Sequence, residues 1–180
     1  MKKKGLFLDR DGVINVNHGY VHTIESFQFI DGIFDLTRLA LSKGYVICVV
    51  TNQAGIARGY YTESDFDELS SWMCDQFKAK GVVIEKVYYS PYHPIYGLGK
   101  YKKDDVSRKP KPGMLQQAAL ELDIDVETSV LIGDNVTDIQ AGFSAGVGKN
   151  LYLGIDDISQ YTGLGNYLSI SHLSEAGIYL

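Results

Sequence analysis

Two cysteines, four prolines and one tryptophan are all that this 180-residue chain holds of those residues, and its 17 lysines and arginines are outnumbered by 22 aspartates and glutamates. Each shortage excludes a class of protein. Cys48, inside the apolar run 46–50, and Cys74, in a helical pattern, are too few for the disulfide framework of a small secreted domain. They read as core or near-core residues of a reducing compartment, and a cytoplasmic protein is expected. Scarce prolines without a repeat exclude collagen-like and fibrous chains. A formal charge of -5 and a pI near 5.3 repel polyanions, so neither nucleic acid nor an anionic membrane is expected as a partner. No apolar run approaches the roughly 18 residues of a membrane-spanning helix. The basic start Met1-Lys2-Lys3-Lys4 is followed only by Leu6-Phe7-Leu8 before Asp9-Arg10-Asp11, too short an apolar stretch for an export signal.

What is present is ordinary for a globular protein: 45% hydrophobic and 22% charged residues, in a length that suits one domain over 1–180. Short β-type runs alternate with helical periodicity. Strands are expected at 5–8, 45–50, 84–89, 129–133 and 150–153, the second an unbroken apolar run of the kind buried on both faces of a parallel sheet. Helices are expected at 32–43, ended by Gly44; at 63–80, with Thr62 as cap; after Pro112 in its first turn; and at 135–145. A short strand and helix close the tail. This alternation implies an α/β fold, a Rossmann-like doubly wound parallel sheet. The long irregular stretch 90–110 is a functional or mobile loop.

Three of these strands end at polar residues: Asp9 with Asp11, Thr51 with Asn52, and Asp134 with Asp138 close behind. In an open parallel sheet the ligand site lies beyond the carboxyl ends of the strands, so these residues should converge. Hard oxygen donors from Asp9 and Asp134 suit Mg²⁺ rather than a softer metal. Asp9 can act as a nucleophile toward phosphorus, with Asp11 as general acid and then general base. Charge on a transferring phosphoryl group needs fixed donors, for which Thr51 and Lys109 are the candidates, with Arg108 as a planar clamp. Taken singly, an Asp-x-Asp in a turn, Asp134 as a helix cap and solvated loop cations are equally ordinary readings. Their order at successive strand ends favours the chemistry.

The segments Phe7-Leu8-Asp9-Arg10-Asp11-Gly12, Val50-Thr51-Asn52-Gln53, Arg108-Lys109-Pro110 and Ile132-Gly133-Asp134 with Asp138 resemble the four motifs of the haloacid dehalogenase superfamily. Within it, Asn17-His18-Gly19-Tyr20-Val21, residues 51–59 and 108–114 resemble the D-glycero-D-manno-heptose 1,7-bisphosphate phosphatases, near which the histidinol-phosphate phosphatases also stand. The resemblance implies Asp9 as nucleophile, Asp11 as acid/base, and Mg²⁺ held by Asp9, Asp134 and the backbone carbonyl of Asp11. It further implies Thr51 and Lys109 on the transferred phosphate, and Asn17, His18, Gly19, Tyr20, Asn52, Gln53 and Arg108 around the sugar and second phosphate. The implied setting is heptose synthesis for surface polysaccharide.

Core elements fill most of the chain between these motifs, leaving no room for a large cap domain. Specificity is therefore expected from three loops, 12–30, 53–61 and 90–107. The resembling enzymes usually carry a zinc site in the third, Cys-x-His and then Cys-x-Cys before Arg-Lys-Pro. Here those positions read Ser90, Tyr92, Asp105 and Ser107, so no zinc is expected, and the loop is either held by packing of Tyr88, Tyr89, Tyr92, Tyr96 and Tyr101 or mobile. Asn135 stands where the family commonly has lysine. The expected activity is Mg²⁺-dependent hydrolysis of a small-molecule sugar phosphate by a monomer, the 7-phosphate of the heptose bisphosphate first and histidinol phosphate second. A phosphorylatable receiver module is the reading from another class; Asp11 argues against it, because an acid/base beside the acyl phosphate would discharge it.

Overall fold

The computed structural model describes residues 2–180. Six parallel strands, β1 (Lys3–Leu8), β2 (Tyr45–Asn52), β3 (Lys86–Ser90), β4 (Ile124–Gly133), β5 (Lys149–Leu153) and β6 (Leu168–Ile170), form one sheet in the order β3-β2-β1-β4-β5-β6. Six helices connect or flank them: α1 (Ile33–Ser42), α2 (Ala54–Ala57), α3 (Glu63–Ala79), α4 (Gly113–Leu122), α5 (Val136–Ala145) and α6 (Leu173–Ala176).

Strand side chains alternate between two apolar layers. Leu6 and Leu8 of β1, Ile47 and Val49 of β2, and Ile132 of β4 pack with Ile33 and Leu36 of α1 and Met73 and Phe77 of α3. Phe7, Cys48, Val50 and Leu131 face the other way, onto Met114 and Leu115 of α4 and Ile139 of α5. A Leu, Ile or Phe removed from water in this way contributes about 1.5–3 kcal/mol, which is why both faces of the central strands read as continuous apolar runs. Burial pushes the Cys48 thiol up to about 12, so it is a packing group and not a nucleophile.

Local chemistry sets the helix starts. The Thr62 hydroxyl accepts from Asp65 N while the Asp65 carboxylate accepts from Thr62 N, and at the head of α5 Asn135 Oδ1 accepts from Thr137 N while the Asp138 carboxylate accepts from Asn135 N. Some expected boundaries shift. β4 begins at Ile124, well before 129, because its first residues pair with β1 across a register shift that the half-buried Asp125 and Val126 and the exposed Glu127 and Thr128 do not reveal. β3 begins at Lys86 rather than 84, and Pro112 precedes α4 rather than lying in its first turn. The short α2 had no sequence signature, being a single turn folded from the residues after β2.

Candidate active site

Strand order reverses between β1 and β4, and the crevice at their carboxyl ends is where open parallel sheets bind ligands. A cavity of about 500 Å³ opens there. Asp9 follows the last residue of β1. Its amide donates to Ile132 O of β4 at 3.0 Å, and its Oδ1 accepts from Arg10 N at 2.8 Å and pairs with Lys109 Nζ at 3.0 Å. Lys109 is buried. Its ammonium also meets Asp138 Oδ1 at 2.6 Å and donates to Val50 O at 2.7 Å, so three partners match its three donors. Burial opposes that charge, but Asp138 and Asp9 outweigh it and hold the lysine above its ordinary pKa.

Lys109 is placed by Asn52 at the end of β2, whose Oδ1 accepts from Lys109 N and whose Nδ2 donates to Lys109 O, both at 3.0 Å. One primary amide thus clamps a loop residue far along the chain to a strand end. Asn52 lines the cavity, as expected of a sugar-site residue, but both ends of its amide are already engaged.

Asp9, Asp134 and Asp138 bring carboxylate oxygens within 4.8 Å of one another. Burial pushes Asp9 up to about 7 against the pull of Lys109, with Asp138 and Asp134 adding to the rise; burial and Asp138 push Asp134 up to about 7 as well. Three desolvated carboxylates facing one lysine form a donor set that a hard divalent cation fits. The loop backbone reaches Asp134 only because residue 12 is glycine: its φ is +92°, and a Cβ there would lie 1.9 Å from Asp134 Oδ2. Asp138, which the sequence groups with Asp134 in the fourth motif, is committed to Lys109 and to Asn135 N.

The Asp11 side chain stands apart from that cluster. Arg10 Nη2 lies 2.9 Å from both Asp11 oxygens and 2.5 Å from Val21 O, Asn15 Nδ2 donates at 3.0 Å and Gln53 Nε2 at 3.0 Å. Arg10 is 1% exposed, its guanidinium 5.6 Å from the Phe66 ring centre. Sequence reasoning passed over it as the spacer of Asp-x-Asp. The available signal was an arginine at the exit of a buried strand, where a charge must be paired. Thr51 is buried at the end of β2, its Oγ1 accepting from Gln53 Nε2 at 2.9 Å.

Asn17, Gly19, Tyr20, Gln53 and Arg108 line the cavity as expected; His18 is exposed on the same loop and is not part of the wall. Tyr61, Asn135 and Thr137 join the lining without having been foreseen. Arg108 donates to Tyr92 O at 3.0 Å, and among the described residues neither Arg108 nor Arg58, which lies over the Tyr96 ring at 4.1 Å, forms an ion pair.

The third loop is tied by oxygen chemistry. Ser107 Oγ bonds Ser90 Oγ at 2.9 Å and Asp105 Oδ1 at 2.7 Å, Lys103 pairs with Asp105, and Lys111 with Asp104. Tyrosines contribute as anticipated: Tyr89 and Tyr101 both donate to Glu63 at the head of α3, Tyr92 packs near Tyr101, and His93 lies against Tyr96.

Known proteins resemble this chain in sequence and in fold. The HAD-hydrolase-like family matches residues 106–154. A D-glycero-alpha-D-manno-heptose-1,7-bisphosphate 7-phosphatase of Burkholderia mallei is 52% identical over 160 residues, 89% of this chain and 85% of the relative. A D-glycero-beta-D-manno-heptose-1,7-bisphosphate 7-phosphatase of Vibrio cholerae is 48% identical over 151 residues, 84% of this chain and 81% of the relative. A HAD-like phosphatase from Mesorhizobium loti superposes with a TM-score of 0.87 at 32% identity, covering 99% of this chain and 86% of that one. The D,D-heptose 1,7-bisphosphate phosphatase from B. bronchiseptica, complexed with magnesium and phosphate, shares the fold with a TM-score of 0.82 at 21% identity, covering 97% and 96%.

Proposed function

Since the chain belongs to the heptose-1,7-bisphosphate 7-phosphatase family of haloacid dehalogenase-like hydrolases, we propose that it removes the 7-phosphate of D-glycero-D-manno-heptose 1,7-bisphosphate through an aspartyl-phosphate on Asp9. The observation that carries this reading is the meeting of Asp9 and Asp134, at adjoining strand ends, with the loop residue Lys109 beside a cavity large enough for a sugar phosphate. Mg²⁺, held by Asp9, Asp134 and the Asp11 carbonyl, would neutralise charge on the phosphoryl group. The Asp9 carboxylate attacks phosphorus, the bond to the sugar oxygen breaks, and Asp11 delivers a proton to that oxygen. Asp11 then takes a proton from the water that attacks the acyl phosphate, releasing inorganic phosphate and restoring Asp9. Thr51 and Lys109 steady the phosphoryl oxygens. Arg108, with no carboxylate partner, is suited to the second phosphate, beside Asn17, Gly19, Tyr20, Asn52 and Gln53; His18 would have to turn inward to join them. The whole chain acts as one phosphatase domain, a reading supported by the single sheet that runs through it.

Phosphate release across a panel of sugar mono- and bisphosphates tests the substrate. The heptose 1,7-bisphosphate should give a kcat/KM at least about a hundredfold above its monophosphates, and equal turnover of histidinol phosphate would favour the second candidate. Both anomers belong in the panel, because the relatives include enzymes named for each.

We also propose that the third loop works without zinc, its would-be ligand positions Ser90, Asp105 and Ser107 being hydrogen-bonded to one another. Activity should vanish with EDTA and return with Mg²⁺ alone. One zinc per purified chain, by elemental analysis, would overturn the zinc-free reading.

A further inference from the structure

We propose that Tyr61 is a positioning residue for this reaction: its hydroxyl orients the Gln53 amide, and through that amide the Asp11 carboxylate and the Thr51 hydroxyl. The inference rests on the phosphatase reading and deepens it.

The Tyr61 ring is held from two sides. It lies against α2, where residue 55 is glycine; a Cβ there would lie 2.1 Å from Tyr61 Cε1. His22 stacks on the ring with centroids 4.9 Å apart and planes 5° from parallel. The phenol is 6% exposed, and burial pushes its pKa up to about 12, so it remains an O–H donor. That donor meets Gln53 Oε1 at 2.6 Å.

Gln53 is itself 1% exposed, so water does not substitute for its partners. The Gln53 amide nitrogen faces Asp11 Oδ2 at 3.0 Å, and its other proton reaches Thr51 Oγ1 at 2.9 Å. The amide oxygen is thereby turned to the opposite side, where Tyr61 supplies the donor it needs. Two consequences follow for the cavity. The Asp11 carboxylate is braced on this side by Gln53, as it is by Arg10 and Asn15. The Thr51 oxygen, already accepting from Gln53, must point its own proton elsewhere, and Thr51 lines the cavity where, on the phosphatase reading, a substrate phosphate oxygen would accept it. Without the Tyr61 hydroxyl, Gln53 Oε1 is a buried acceptor with no donor, and the amide gains by rotating away from Asp11 and Thr51.

Tyr61→Phe removes one oxygen and keeps the ring. Steady-state phosphate release from heptose 1,7-bisphosphate should show kcat reduced about tenfold with KM within about twofold of wild type. Thermal unfolding should show a folded variant. A Tyr61 that served only the fold would lower the melting temperature and leave kcat per folded molecule unchanged, overturning the inference. So would an effect confined to KM, which would place the hydroxyl on the substrate. A double-mutant cycle gives the sharper test. In a Gln53→Leu background, Tyr61→Phe should cost nothing further, whereas full additivity would show that Tyr61 does not act through Gln53. Gln53→Met closes the same cycle should Gln53→Leu fail to fold. Asp9→Asn, assayed alongside, separates the two levels: turnover by that variant removes the underlying phosphatase mechanism, while an inactive Asp9→Asn with a wild-type Tyr61→Phe removes only the positioning role.

Discussion

Asp9→Asn is expected to lower kcat by at least about ten-thousandfold, because an amide cannot form the acyl phosphate on which both half-reactions depend. Asparagine keeps the shape of the side chain and its acceptor for Arg10 N, so the fold should persist. Asp9 is a strained carboxylate in the metal-free protein: burial pushes it up to about 7 despite Lys109, and Asp138 and Asp134 add repulsion. A neutral amide there relieves the burial cost and the repulsion from both aspartates while giving up the contact to Lys109, which keeps Asp138 and Val50 O. The metal-free melting temperature should therefore be unchanged or raised. An inactive variant that had also lost its fold would say nothing about the nucleophile, so calorimetry belongs beside the phosphate assay. Retained Mg²⁺-dependent turnover in a folded Asp9→Asn protein would refute the mechanism.

Lys109→Met should fail in a different way, losing activity and stability together. The ammonium joins β1 through Asp9, β2 through Val50 O and α5 through Asp138, all out of water. A methionine of similar length fills the space but leaves two buried carboxylates with no cation between them. Removing one partner of such a buried pair costs about 3–5 kcal/mol, on the order of 10 °C in Tm for a chain of this size. Transition-state charge would lose a fixed donor as well, and kcat/KM should fall about a thousandfold. Adding Asp138→Asn to Lys109→Met should recover part of the lost stability, since one orphaned charge is then gone, and none of the activity. If Lys109→Met melted like wild type, the ion-pair cluster would not be the staple that the geometry describes.

The contrast between these two residues marks how far the chain could be read in one dimension. Asp9, Thr51 and Asp134 were legible because a strand buried on both faces writes itself as an unbroken apolar run, and the polar residue ending the run must lie at the mouth of a parallel sheet. Helices α1, α3 and α5 were legible from periodicity, and the start of α3 from its cap Thr62, whose hydrogen bonds are made within a few residues; that Asn135 rather than Asp134 caps α5 was not. Local spacing and burial are properties of the sequence, so they determined the architecture and which strand ends bear the polar residues of the proposed site. Partner choice across the fold is not such a property. That Asn52 spends its amide on the Lys109 backbone, that Tyr61 and Gln53 stand behind Asp11, that Arg10 is buried against that same carboxylate, and that Ser90 meets Ser107 across the third loop were all decided by the approach of segments distant in the chain. Periodicity reports which way a side chain faces from its own element; only packing of β1, β2 and the loop before α4 against one another determines what it meets there.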